Sequence, residues 1–196
     1  MVILMNSILE KKVNEIIIKN SRFIGILIPL ENNNYKDILE EIKQEYPKAD
    51  HYCYGMIYDK EKYSSDDREP SQTAGLPILN VLEKEDLNHI LAVVVRYFGG
   101  IKLGAGGLVR AYTKATTECL KLTTKIELEK GYTIQIEFPY EEEKNIKYIL
   151  QNSKIIEESY QEIITYKVEI TEEELKKLEK YHPTILEEIQ IKKNHN

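Results

Sequence analysis

The run ILAVVVRYF (90–98) sets the tightest limit on how this chain can fold. It is apolar and largely β-branched at consecutive positions, with no polar residue before Arg96. A strand with one wet face alternates; a strand without alternation is covered on both faces. The chain must therefore place this strand at the centre of a sheet and supply apolar layers above and below it. Residues 35–46 form a predicted helix with Ile38, Ile42 and Tyr46 on one face, and Pro47 ends it. A second predicted helix covers about Leu76 to Glu83. A third runs to about Leu122, with Leu108, Tyr112, Ala115, Cys119 and Leu122 stepping by three or four. Residues 13–30 read as two strands and DHYCYGMIYD (50–59) as another. KEKYSSDDREPSQTAG (60–75) reads as loop.

The character changes near 123–131. Beyond it, YTIQIEF (132–138) alternates, 141–152 is helical, and 154–170 reads as a strand pair. Thr171 and Glu174 make a capping box for a helix over 171–181, and 184–193 reads as a last strand. That order, β-α-β-β-α-β, is the split-βαβ or ferredoxin-like arrangement. The chain of 196 residues is long enough for two such domains, with expected bounds 1–123 and 124–196. The expected fold class is α+β.

Charge narrows the partners. The net charge of −6 argues against a protein that is basic overall. It is unevenly spread: residues 1–122 carry 16 Lys/Arg against 17 Asp/Glu, and residues 123–196 carry 11 against 16. The second part should repel polyanions. The stretch from Arg96 to Lys114 holds four basic residues and no acid, so a local anion site is allowed in the first part. Cys53 and Cys119 stand far apart and form no CxxC, which fits reduced thiols and a cytoplasmic location. MVILMNSILEKK lacks a basic leader and cleavage pattern. No apolar run approaches a membrane span, so no membrane partner is expected.

RYFGGIKLGAGGLVRAY (96–112) contains five of the nine glycines, between the central strand and a helix. Glycine lets backbone approach a ligand, successive amides make an anion-binding concavity, and the helix N-terminus adds its dipole. The candidate set is Arg96, Gly99, Gly100, Lys102, Gly104, Gly106, Gly107 and Arg110, with a phosphate or carboxylate as ligand. Spacing alone leaves a second reading open, in which the glycines serve only a tight turn and close packing. No P-loop match exists, and Val109 occupies the third glycine position of a dinucleotide fingerprint.

In SSDDREPSQTAG (64–75), Asp66, Asp67 and Glu69 can be read as a hard-cation or general-base site. The plainer reading is a turn in which Asp66, Ser71 and Thr73 bond local backbone. His51 and Cys53 point to one face of a strand, but zinc needs further ligands at recognisable spacing, and none appear. No PCxxC, GxSxG or other recognised catalytic set is present, and no cofactor or metal is implied. Fourteen tyrosines, mostly at core-like positions, make only a weak case for base stacking.

NSRFIG (20–25), ADHYCYG (49–55), SSDDREPSQTAGLPIL (64–79) and RYFGGIKLGAGGLVRAY together resemble the IMPACT family, in its bacterial YigZ-type two-domain form. The resemblance implies a first domain like the second domain of small-subunit ribosomal protein five and a ferredoxin-like second domain. It implies a link to translation, because eukaryotic relatives regulate it, though through an additional domain that has no counterpart in this sequence. By motif position the shared surface would include Arg22, His51, Asp66, Asp67, Glu69, Arg96, Lys102 and Arg110. The acidic motif departs from the family pattern DDGEPSGTAG: Arg68 and Gln72 stand where glycines are usual. If that backbone needs positive φ, both residues are strained.

The expected function is thus a non-enzymatic regulator linked to translation, with RNA or a ribosome-associated partner at the basic glycine loop. The alternative is an enzyme acting on a small phosphorylated or carboxylated metabolite at the same loop, using Asp66, Asp67 or Glu69. A third reading is a protein-interaction module.

Overall fold

The structure is a computed structural model that describes residues 5–193; the first four residues of MVILMNSILEKK and the last three of the chain lie outside it. The chain forms two compact units, Met1–Glu127 and Leu128–Asn196.

The first unit contains β1 (Met5–Ile8), β2 (Lys12–Ile18), β3 (Ser21–Pro29), α1 (Tyr35–Glu45), β4 (His51–Tyr58), β5 (Glu61–Ser65), α2 (Gly75–Lys84), β6 (Ile90–Tyr97) and α3 (Ala105–Leu120). Its sheet runs β2-β3-β6-β4-β5, every neighbour antiparallel. The unbroken apolar run is β6, and it is central. Leu91, Val93 and Val95 share one buried cluster with Tyr35, Leu39 and Ile42 of α1. Ile90, Ala92 and Val94 share another with Ile78 and Leu82 of α2 and Tyr112, Ala115 and Cys119 of α3. Burying each large aliphatic contributes roughly 1.5–3 kcal/mol, which is why alternation gives way to continuous apolarity.

Two strands depart from the sequence expectation. β5 lies inside the segment expected to be loop. It is an edge strand, mostly exposed and held through backbone pairing to β4, so it needs no apolar face. β1 ties the chain start to the α2–β6 connection: the Asn6 amide bonds the Asp86 carbonyl, and the Asn88 amide bonds the Asn6 carbonyl.

The second unit is built on β7 (Lys125–Phe138), which begins earlier than its alternation suggests. After a short turn follow α4 (Glu143–Ile149), β8 (Lys154–Tyr160), β9 (Ile164–Thr171), α5 (Glu172–Leu178) and β10 (Thr184–Lys192). The antiparallel order β8-β9-β7-β10 is ferredoxin-like. Ile146 of α4 and Leu178 of α5 pack on Ile134, Phe138, Tyr166 and Val168 of the sheet. The Thr171–Glu174 capping box is present in full. No described helix is long and apolar enough to cross a membrane.

Candidate functional site

Alternation along β6 sends Arg96 to the same side as Ala92 and Val94, into the layer under α2 and α3. The sheet register sets it between Phe23 of β3 and His51 of β4. There the Arg96 Nη1 donates to Glu69 Oε1 at 2.5 Å, and the guanidinium stacks over the Phe23 ring at 5.2 Å. The same carboxylate oxygen accepts the Tyr112 hydroxyl at 2.7 Å and faces His51 Nε2 at 3.7 Å. His51 Nδ1 lies 2.8 Å from the Asp67 carbonyl, so Nδ1 carries the hydrogen. Cys53 completes the group, with its sulfur 3.0 Å from the Asp66 carbonyl and 3.4 Å from the Tyr112 oxygen.

This cluster corrects the place of Arg96. Sequence groups it with the loop cations; the structure buries it against Glu69, which cancels its charge. Burial pushes the Tyr112 hydroxyl well above its ordinary range, with neighbouring Cys53 and Glu69 adding to the shift. Burial likewise raises the Cys53 thiol far above a reactive value. The cluster holds no thiolate nucleophile.

The acidic motif is also occupied. Asp66 Oδ1 accepts the amides of Ala74 (3.0 Å) and Gly75 (2.8 Å), and its Oδ2 accepts that of Gln72 (2.7 Å). It closes the start of α2 from the preceding turn, as the capping reading expects. Thr73 Oγ1 donates to the Pro70 carbonyl at 2.6 Å. Asp67 Oδ2 accepts the Tyr52 amide at 2.7 Å. Among the described residues, no group of three or more His, Cys, Asp or Glu side chains is placed to hold a metal ion. Arg68 (φ 68°) and Gln72 (φ 62°) sit in the left-handed region, so the two departures from the family pattern fall where glycine is easiest to accommodate. Arg68 is held by its NH2 group donating to the Asp50 carbonyl at 2.9 Å.

The glycine loop remains open. A Cβ on Gly99 would lie 2.0 Å from the Asn20 carbonyl carbon, so this glycine lets the loop lie on the β2–β3 turn. Its amide donates to Ser21 Oγ at 3.1 Å. Gly104, at φ 72°, is the N-cap of α3 and provides no side-chain acceptor for that helix. No acceptor within the described residues meets the amides from Gly100 to Gly107. Lys102, Arg110 and Lys114 are exposed and form no ion pair among the described residues. Gly100, Lys102, Gly104, Gly106 and Arg110 are exposed along the loop and the start of α3, and Gly99 seats the loop.

Arg22 does not join them. It alternates onto the α1 side of β3, where Nε and NH2 each meet a Glu15 carboxylate oxygen at 2.9 Å. Sequence reasoning missed Lys19. The two-residue turn Lys19–Asn20 (φ 46° and 64°) returns the chain between β2 and β3 and brings Lys19 to α3. A cleft of about 220 Å³ lies there, lined by Ile18, Lys19, Leu103, Gly107, Arg110, Ala111 and Lys114.

The profile of the Impact N-terminal domain matches residues 19–120. IMPACT family member YigZ of Escherichia coli (strain K12) is 38% identical over 161 residues, covering 77% of this chain and 78% of that protein. An IMPACT family member of Haemophilus influenzae is 45% identical over 120 residues, 58% of each chain. IMPACT family member YvyE of Bacillus subtilis (strain 168) is 44% identical over 111 residues, 55% of this chain and 51% of that protein. The match thus spans little more than half the length of these last two relatives. A crystal structure described as a hypothetical protein superimposes with a TM-score of 0.72 at 27% identity, covering 99% of this chain and 100% of the other. The chain belongs to the IMPACT family.

Proposed function

We propose that this IMPACT-family chain is a non-enzymatic regulator linked to translation, which grips the phosphate backbone of RNA through its glycine loop and the first turns of α3. The link to translation comes with the family resemblance. The observation that carries the binding reading is local: Lys19, Lys102, Arg110 and Lys114 form no ion pair among the described residues, beside a row of amides with no internal acceptor. Amides and cations of this kind are jointly satisfied by phosphate oxygens. Arg110 and Lys114 are about one helical turn apart, about 6 Å along the axis, and Lys102 precedes the helix. That spread lets the loop amides and Lys102 meet one phosphate of a strand while Arg110 and Lys114 meet another.

The metabolite-enzyme alternative draws less support, because it needs the carboxylates of Asp66, Asp67 or Glu69. Their oxygens already accept internal amides, a hydroxyl and a guanidinium.

Fluorescence anisotropy with a single-stranded oligoribonucleotide tests the proposal. If four cations meet phosphates, log Kobs against log salt falls with a slope of about −3 between 50 and 200 mM salt. Lys102→Ala reduces the magnitude of that slope by roughly 0.7. No binding at 50 mM salt, or binding insensitive to salt, refutes it.

A further inference from the structure

The cleft beside the β2–β3 turn has a chemistry of its own. Its wall is apolar, from Ile18, Leu103 and Ala111, and Gly107 adds no side chain. Its polar groups are all cationic: Lys19, Arg110 and Lys114. Arg110 and Lys114 stand at i and i+4, an arrangement in which like charges destabilise a helix. The next acid on that helix, Glu118, pairs with Lys121 at 2.7 Å and feels Lys114 only as a weaker, more distant charge. Lys19 adds a third positive charge from the turn. An anion seated among these three cations would relieve their mutual repulsion.

Charge and size both limit that anion. An internal phosphodiester carries one negative charge and leaves two of the three cations uncompensated. A phosphate monoester carries about −1.5 to −2 at neutral pH and offers three strong acceptor oxygens. The cleft volume is about 220 Å³, many times what one water needs. The cleft has room for a phosphate group and the carbon atoms next to it.

We propose that this cleft binds a terminal phosphate monoester, with Ile18, Leu103 and Ala111 covering the carbon skeleton attached to it. As an RNA end, the ligand rests on the RNA-binding reading above: the terminal phosphate sits in the cleft and the following phosphates run along the loop amides and Lys102. As a free nucleotide, it does not need that reading. The chemistry recognised is the same.

Binding of one oligoribonucleotide sequence is compared with a 5′-phosphate, a 3′-phosphate or hydroxyls at both ends, and with AMP and inorganic phosphate as competitors. An RNA carrying a terminal phosphate is expected to bind about tenfold more tightly than its hydroxyl form, the scale of one added charge-assisted contact. Lys19→Ala and Lys114→Ala abolish that advantage, whereas Lys102→Ala weakens phosphorylated and hydroxyl forms alike and Lys84→Ala changes neither. Without ligand, Lys19→Ala and Lys114→Ala leave Tm unchanged or raised, because they remove repulsion; a structural role would lower it. Equal binding of phosphorylated and hydroxyl RNA, with no competition by AMP, overturns the cleft proposal and leaves RNA binding standing. AMP binding that depends on Lys19, with no RNA bound, supports the cleft and removes the RNA reading. If neither ligand binds, both fall.

Discussion

Replacing Glu69 by leucine is the most informative perturbation of the buried cluster. The Glu69 and Arg96 side chains are 4% and 6% exposed and meet at 2.5 Å. Glu69→Leu leaves a guanidinium in the core with only Ser21 Oγ, at 3.4 Å, as an acceptor. Its Nε already has no hydrogen-bond partner among the described residues. The Tyr112 hydroxyl also loses its acceptor. Removing one partner of a buried ion pair costs about 3–5 kcal/mol. For a chain of this size that lowers Tm by about 10 °C. Arg96→Met should cost a similar amount, since it strands the carboxylate. The double variant should cost less than either single change, about 1–2 kcal/mol, because only hydroxyl and imidazole groups then lack their partner. Differential scanning calorimetry of the full chain reads the transition of the first unit. The losses should persist in 1 M salt, where an exposed pair would be screened. Additive single losses, or Glu69→Leu within 1 kcal/mol of the parent, would refute the description of this cluster as a coupled buried pair.

Asp66→Asn should cost about 2 kcal/mol through weakened bonds to three amides, and should speed hydrogen exchange at Gln72, Ala74 and Gly75 without changing RNA affinity; a ligand-binding role would give the opposite pattern. Gly99→Ala should destabilise the first unit by about 1–3 kcal/mol through overpacking, because the new methyl meets the Asn20 backbone. Gly106→Ala, which meets only the Arg110 guanidinium at 3.5 Å, should be neutral or stabilising by up to about 1 kcal/mol; urea titrations of the two variants check both values. Burial, partly offset by backbone hydrogen bonds, pushes the Cys119 thiol from 9.0 up to about 11. The folded form is therefore the harder one to ionise: its stabilising contribution is complete below pH 9 and is lost as pH rises from about 9 to about 11. At pH 8 its thiolate fraction is roughly one in a thousand, so alkylation should be slow in native protein and fast in urea. Rapid native labelling of Cys119 would contradict its burial.

Several parts of the fold were legible because they are written as local periodicity. The unbroken run at 90–97 demanded two covering layers, and α1 lies on one side while α2 and α3 lie on the other. The strand alternation at 132–138 and the Thr171–Glu174 box marked parts of the second unit correctly. β5 was not legible, because an exposed edge strand is held by backbone pairing that imposes no side-chain pattern. The family pattern raised the question whether Arg68 and Gln72 stand at positive φ, and the structure places both there.

The site divides along the same line. Sequence alone determined that a strand-to-helix glycine loop carries basic residues without a nearby acid, because composition and chain order contain that information. Only the tertiary structure decided which charges remain available. Glu69 stands 27 positions before Arg96 and neutralises it in the core, whereas Lys19 reaches α3 from a different hairpin. Burial patterns repeat with the period of the local backbone, so neighbouring residues reveal them. A charge is cancelled or left free by whatever lies within a few ångströms in space, and no local period encodes that.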